Sequence, residues 1–79
     1  MTDDQKTLNE YVLLYIEKGE PYSIVTYKIS LKEDGTRTKA KVTISNDGNH
    51  RVTFEDNINI DPKSEQKLIQ DAFFQINES

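Results

Sequence analysis

The chain has 79 residues, no cysteine and a formal net charge of -4. Its length predicts a single domain over residues 1–79, and without disulfide bonds its stability must come from a packed core. No apolar run approaches the roughly 18 residues of a membrane span, and the acidic N-terminus argues against a signal peptide, so we expect a cytoplasmic protein.

The first predicted element is a helix near residues 3–18. Residues 2–5 have the Thr-x-x-Gln spacing of a capping box, with acidic residues that suit the positive end of a helix dipole. Apolar side chains then recur at helical intervals: Leu8, Tyr11, Val12 and Tyr15. Gly19 and Pro21 follow as stop signals.

Three strands are predicted next, between Tyr22 and Glu55, because apolar and polar residues alternate there with a period of two. Asp34-Gly35 and Asn46-Asp47-Gly48-Asn49 are turn signals, and short turns between neighbours predict an antiparallel meander. One face of this sheet should expose mainly hydroxyl and basic groups: Thr26, Lys28, Ser30, Lys39, Lys41, Thr43, Arg51 and Thr53.

The last predicted element is a second helix over about residues 62–77. Asp61 supplies an N-cap oxygen, and Pro62 suits the first helical position. An apolar stripe follows at Leu68, Ile69, Ala72, Phe73 and Ile76. The predicted fold class is therefore α+β: a two-layer α-β-β-β-α sandwich in which a three-stranded antiparallel meander carries both helices on one face.

Charge is divided along the chain in a way that concerns binding rather than folding. Six basic and three acidic residues lie between Lys28 and Arg51, whereas the remainder holds four basic and eleven acidic residues. The predicted exposed sheet face is thus a candidate binding face for phosphates or an acidic protein, formed by Lys28, Lys39, Lys41, Thr43, Arg51 and Thr53. The alternative interpretation is that lysine and threonine only guard exposed strands against aggregation.

The sequence contains no catalytic, metal or nucleotide motif. His50 is the single histidine, and no neighbour in sequence supplies a nucleophile or an acid for it. We therefore expect no enzyme activity and no cofactor. The predicted function is a non-enzymatic interaction or regulatory protein that binds another protein, as a monomer or as a homodimer, since a meander leaves two open edges. The net charge disfavours nucleic acid as the partner.

The predicted element order resembles the double-stranded-RNA-binding domain. Leu8-Asn9-Glu10-Tyr11 is similar to the Leu-Asn-Glu often seen in that family's first helix, and Lys63-Ser64-Glu65-Gln66-Lys67 lies where the family usually has a Lys-Lys-x-Ala-Lys motif. The resemblance implies that Lys63 and Lys67 contact phosphates across a groove, with Ser64 in place of a second lysine. It makes a divergent nucleic-acid binder of this kind the first alternative function.

A second resemblance concerns the turn Asn46-Asp47-Gly48-Asn49 and the alternating strand after it, which look like the hairpin of a CRISPR-nuclease inhibitor. Small acidic proteins of phages and mobile elements often inhibit nucleases by imitating the charge of DNA. The resemblance implies an acidic surface on the helix side: Asp3, Asp4, Glu10, Glu17, Glu20, Asp61, Glu65, Asp71 and Glu78. An acidic nucleic-acid-mimic inhibitor from a phage or mobile element is thus the second alternative.

Overall fold

The protein is a four-stranded antiparallel sheet with one C-terminal helix packed on it. The computed structural model describes residues 5–56 and 58–78. Its elements are β1 (Leu8–Glu17), β2 (Tyr22–Leu31), β3 (Arg37–Ser45), β4 (His50–Phe54) and α1 (Pro62–Glu78). The strand order is β1-β2-β3-β4, so each strand pairs with its neighbours along the chain and β1 and β4 form the two edges of the sheet.

The three predicted strands and both predicted turns are present as β2, β3 and β4 with their connections. Gly35 and Gly48 adopt φ angles of 71° and 95°, in the left-handed region where glycine has no steric cost. In the first turn, Asp34 Oδ1 accepts a hydrogen bond of 3.0 Å from the Thr36 amide, and Asp34 Oδ2 lies 3.4 Å from Lys6 Nζ. The hydrogen bonds from Thr36, together with Lys6, lower the pKa of Asp34 to about 2.

The predicted first helix is wrong, because this part of the chain forms β1. It pairs antiparallel with β2, for example Leu13 with Tyr27 and Ile16 with Val25. Residues 11–16 form a continuous aromatic and aliphatic run, which suits a strand as well as a helix. Irregularities in the β1–β2 register hide the two-residue alternation that would have identified a strand. Residues 2–4 of the predicted cap lie outside the described residues.

This element order also overturns two broader predictions. The observed β-β-β-β-α arrangement replaces both the α-β-β-β-α order and the two helices on one face. The resemblance to the double-stranded-RNA-binding domain is wrong for the same reason. Its proposed first-helix motif, Leu8-Asn9-Glu10-Tyr11, begins a strand, and no helix precedes the sheet within residues 5–56.

The hydrophobic core lies between α1 and the sheet. Its completely buried members come from the two central strands and the middle of the helix, and they include Val25, Tyr27, Ala40, Val42, Leu68 and Ala72. The Tyr27 hydroxyl donates a hydrogen bond of 2.6 Å to Asp71 Oδ2 of α1, and the Tyr11 ring packs edge-on against Tyr27 at 5.6 Å. Burial, and then the hydrogen bond to Asp71, raise the pKa of Tyr27, so the phenol stays protonated and remains a donor.

A set of hydrogen bonds joins the beginning of β1 to the beginning of α1. The Lys6 amide donates to the Asn59 carbonyl at 2.9 Å, and the Asp61 amide donates to the Lys6 carbonyl at 3.0 Å. The Leu8 amide donates to the buried Ser64 Oγ at 3.0 Å. Asp61 Oδ1 accepts from the Ser64 amide at 3.2 Å, which confirms the predicted N-cap. Hydrogen bonds from Ser64 also lower the pKa of Asp61.

Candidate functional site: an open sheet face and an apolar edge

All six residues predicted as a binding face lie on the side of the sheet that faces away from α1, which we call the open face. The hydrogen bond from Tyr27 to α1 defines the covered face, and successive strand residues point to opposite faces. The register pairs the six residues across neighbouring strands: Lys28 opposite Lys39, Lys41 opposite Thr53, and Thr43 opposite Arg51. Only Thr43 among them is half-buried, and the other five are exposed.

Cations are concentrated along β3 and beside it. Arg37, Lys39 and Lys41 occupy alternate positions of β3, and alternate residues of a strand lie roughly 6.8 Å apart. Lys28 lies directly opposite Lys39, and like charges in this position destabilise a sheet. None of these lysines forms an ion pair with a described residue. The open face therefore carries a row of positive charge along β3 without an ion pair to a described residue, and acidic side chains flank it: Glu10 lines a cleft with Lys28 and Arg37, and Glu55 lines one with Lys39 and Lys41.

An aromatic side chain borders this row. Tyr15 of β1 is 51% exposed and lines a shallow cleft of about 210 Å³ with Lys39, Lys41, Thr53, Phe54 and Glu55. Thr26 lies between Tyr15 and Lys41 in the register and is fully buried, and its hydroxyl has no hydrogen-bond partner among the described residues. The cleft thus combines an exposed ring and two cations with the carboxylate of Glu55.

The second surface is an apolar edge that the sequence did not predict. Five consecutive residues of β1 are exposed: Tyr11 36%, Val12 57%, Leu13 37%, Leu14 40% and Tyr15 51%. Phe74 of α1 is 59% exposed and lies one turn after Gln70 and Asp71, which line a shallow cleft with Tyr11. We call Tyr11, Val12, Leu13, Leu14 and Phe74 the apolar edge. The spacing of this apolar run predicts a helix, so its exposure on an edge strand follows only from the pairing of β1 with β2.

The backbone of β1 is only partly regular. Its register with β2 shifts between Leu8 and Glu10 and again between Leu13 and Tyr15. Such bulges twist an edge strand and limit its pairing with other strands. However, β1 contains no lysine or proline, and its charges, Glu10 and Glu17, lie near its ends. The apolar side chains between them are therefore accessible to a partner.

Lys63 and Lys67 lie on α1, on the opposite side of the sheet from the open face. They are four residues apart on one side of the helix, and both are exposed. Lys67 lines the shallow cleft with Tyr11 and Asp71. The structure therefore does not bring these two lysines together with the cations of β3.

The acidic surface predicted on the helix side is divided among β1, the β1–β2 connection, which holds Glu20, and the helical segment. Glu10 and Glu17 lie on β1, at open-face positions opposite Ser30 and Ile24. The acids of the helical segment are Asp61, Glu65, Asp71 and Glu78. Asp3 and Asp4 lie outside the described residues. The described acids thus form no single row along α1.

His50 begins β4. Its ring packs edge-on against the ring of Phe73, with 6.1 Å between the ring centroids, so this side chain contributes to the packing of α1 on the sheet. Within residues 5–56 and 58–78, no group of three His, Cys, Asp or Glu side chains could hold a metal ion. In the same part of the chain, no helix is long and apolar enough to cross a membrane.

Comparisons with known proteins found no match: neither a protein-family model nor a curated protein nor a solved structure matches this chain.

Proposed function

We propose that the protein is a non-enzymatic interaction protein that binds another protein through the apolar edge. The observation that carries this proposal is the exposure of four consecutive large apolar residues, Tyr11 to Leu14, on an edge strand, where Tyr11 and Leu13 lie on the covered face and Val12 on the open face. Contiguous apolar surface of this kind marks interaction sites on small proteins. Isolated exposed apolar residues would need no such explanation.

The side chains of the apolar edge suit a protein partner. Tyrosine and other aromatic residues are enriched among the anchors of protein interfaces, and Tyr11 and Phe74 would be anchors here. Tyr11 is held on one side by its edge-on contact with Tyr27, so its orientation is largely fixed before binding. A fixed orientation lowers the entropic cost of binding.

The backbone of β1 can add a short strand of the partner. Residues 10–13 lie between the two register shifts and pair regularly with β2 on one side only. A partner segment could hydrogen-bond along this stretch, as in other cases of strand addition. Because the regular stretch is short, side-chain contacts with the apolar edge would supply most of the binding energy.

Val12→Lys tests this proposal. Val12 is 57% exposed, so lysine should not disturb the core, whereas a lysine on an edge strand disfavours association. Thr53→Lys is the matched control, because Thr53 is also exposed, on the open face and on an edge strand, but on β4. Each variant places a lysine directly opposite another, Val12→Lys opposite Lys28 and Thr53→Lys opposite Lys41, so circular dichroism should show a similar small loss of stability in both, about 0.2–1 kcal/mol.

The readout is quantitative mass spectrometry of proteins retained from the cells that produce this chain, together with sedimentation equilibrium of the purified chain. We expect Val12→Lys to reduce retention of specific partners, or self-association, by about tenfold or more, as loss of an interface contact does. Thr53→Lys should have no effect. A 9.1 kDa monomer at every concentration, with no retained protein that depends on Val12, would contradict the proposal.

A further inference from the structure

We infer that the open face also binds single-stranded nucleic acid, with the cations of β3 on the phosphates and Tyr15 stacked on a base. The inference rests on the arrangement of charge on the open face, whereas the proposed protein-binding surface rests on the exposed apolar residues of β1. Val12, which lies opposite Lys28, stands where the two surfaces meet. The residues that carry it are Arg37, Lys39, Lys41, Lys28 and Tyr15.

The charge arrangement favours an anionic ligand. Lys28 and Lys39 are direct cross-strand partners, and Lys41 follows Lys39 on the same face of β3. This proximity costs stability in the free protein, and none of the three lysines has an acidic partner among the described residues. A chain of phosphates that lies along β3 would remove this repulsion. The row extends over three alternate positions, so it suits a linear polyanion better than a single small anion.

The exposed ring of Tyr15 favours nucleic acid over an acidic protein as the ligand of the open face. Its ring is half-exposed and borders the same cleft as Lys39 and Lys41. Bases stack on such rings while cations follow the backbone, which is how single strands are bound without sequence preference. An acidic peptide would use the lysines but would gain little from the ring. Glu55 lines this cleft, and Glu10 lines a second cleft with Lys28 and Arg37. Both carboxylates would repel phosphates, so we place the nucleic-acid backbone along β3, between them.

A single strand suits this surface better than a duplex. The ring of Tyr15 can stack only on a base that is already unpaired, and within residues 5–56 and 58–78 no helix lies on the open face to enter a major groove. The whole chain is acidic, with a charge of -4, so binding should be weak at physiological salt and stronger at low salt. For three or four phosphate contacts, the logarithm of the affinity should fall with the logarithm of salt with a slope of about -2 to -3.

Fluorescence anisotropy with a labelled oligothymidine at low salt tests the inference. Lys39→Glu should weaken binding by about tenfold or more, because it removes one phosphate contact and adds repulsion. Lys63→Glu makes the same charge change on α1 and should alter the affinity less than about twofold. Tyr15→Leu keeps an apolar side chain on β1 but removes the ring, and should weaken binding by roughly fivefold to 150-fold.

Four results would overturn the inference. The first is the absence of binding at low salt, and the second is an equal loss in Lys39→Glu and Lys63→Glu, which would reflect net charge alone. The third is equal affinity for polyglutamate of similar length, which would assign the face to an acidic protein. The fourth is unchanged affinity in Tyr15→Leu while its melting temperature matches that of the unchanged protein.

Discussion

Replacing Ser64 with alanine removes the acceptor that joins the beginning of β1 to α1. Ser64 is only 4% exposed, and its Oγ accepts the 3.0 Å hydrogen bond from the Leu8 amide. Without it, a buried amide has no partner, which costs about 1–3 kcal/mol. A domain of this length has a total stability of roughly 4–12 kcal/mol, so the loss is a substantial fraction. Each kcal/mol should lower the melting temperature by about 4–8 °C.

Urea denaturation gives the free energy of unfolding, and amide hydrogen exchange reports on Leu8 itself. Ser23→Ala is the matched control, since Ser23 is similarly buried but accepts only a long hydrogen bond of 3.4 Å from the Gly19 amide. We expect the control to cost ~0.5 kcal/mol or less. If Ser64→Ala costs no more than the control and the Leu8 amide stays protected, this connection does not stabilise the fold.

Three further predictions concern stability. Tyr27→Phe should cost about 1–2 kcal/mol in urea denaturation, because the buried hydroxyl no longer donates to Asp71; an unchanged unfolding free energy would contradict that role. Because folding lowers the pKa of Asp34, its ionised carboxylate stabilises the fold above the ordinary carboxyl pKa, and this stabilisation is lost as the pH falls towards about 2. Asp34→Asn should therefore flatten the decline of the urea midpoint between the ordinary carboxyl pKa and pH 2. Lys28→Glu should raise stability by about 0.2–1 kcal/mol, since an opposite charge then faces Lys39; a lower melting temperature would argue against the like-charge repulsion.

The part of the fold that local signals determine was predictable. Two-residue alternation and the glycine turns identified β2, β3 and β4, and Asp61-Pro62 identified the beginning of α1. The N-terminal strand was not predictable in this way, because residues 11–16 are apolar throughout and lack a clear period. Only the register with β2 shows that these residues form a strand, and such pairing is a long-range property.

The candidate sites, too, were predictable only where local sequence signals determine them. Alternation within each strand predicts the six residues of the open face, and the strand register adds that they are cross-strand neighbours. The sequence does not predict the apolar edge, because the spacing of residues 11–15 predicts one face of a helix rather than an edge strand, and Phe74 stands outside the predicted apolar stripe of α1. Tyr11 and Tyr15, which the sequence places on the apolar face of a predicted helix, are instead 36% and 51% exposed on a strand. Whether an apolar residue is buried or exposed on an edge depends on what the rest of the chain leaves uncovered.

The most direct test of the apolar edge as a protein-binding surface is thiol labelling inside the cells that produce this chain. Because the chain has no cysteine, Val12→Cys and Thr53→Cys each introduce one reactive position, on opposite edges of the sheet. In the purified monomer at low concentration, both should label readily. In the cell, we predict that Val12→Cys is protected by a bound partner while Thr53→Cys labels as in the purified protein. Equal labelling of Val12→Cys in both settings would contradict the proposed interface.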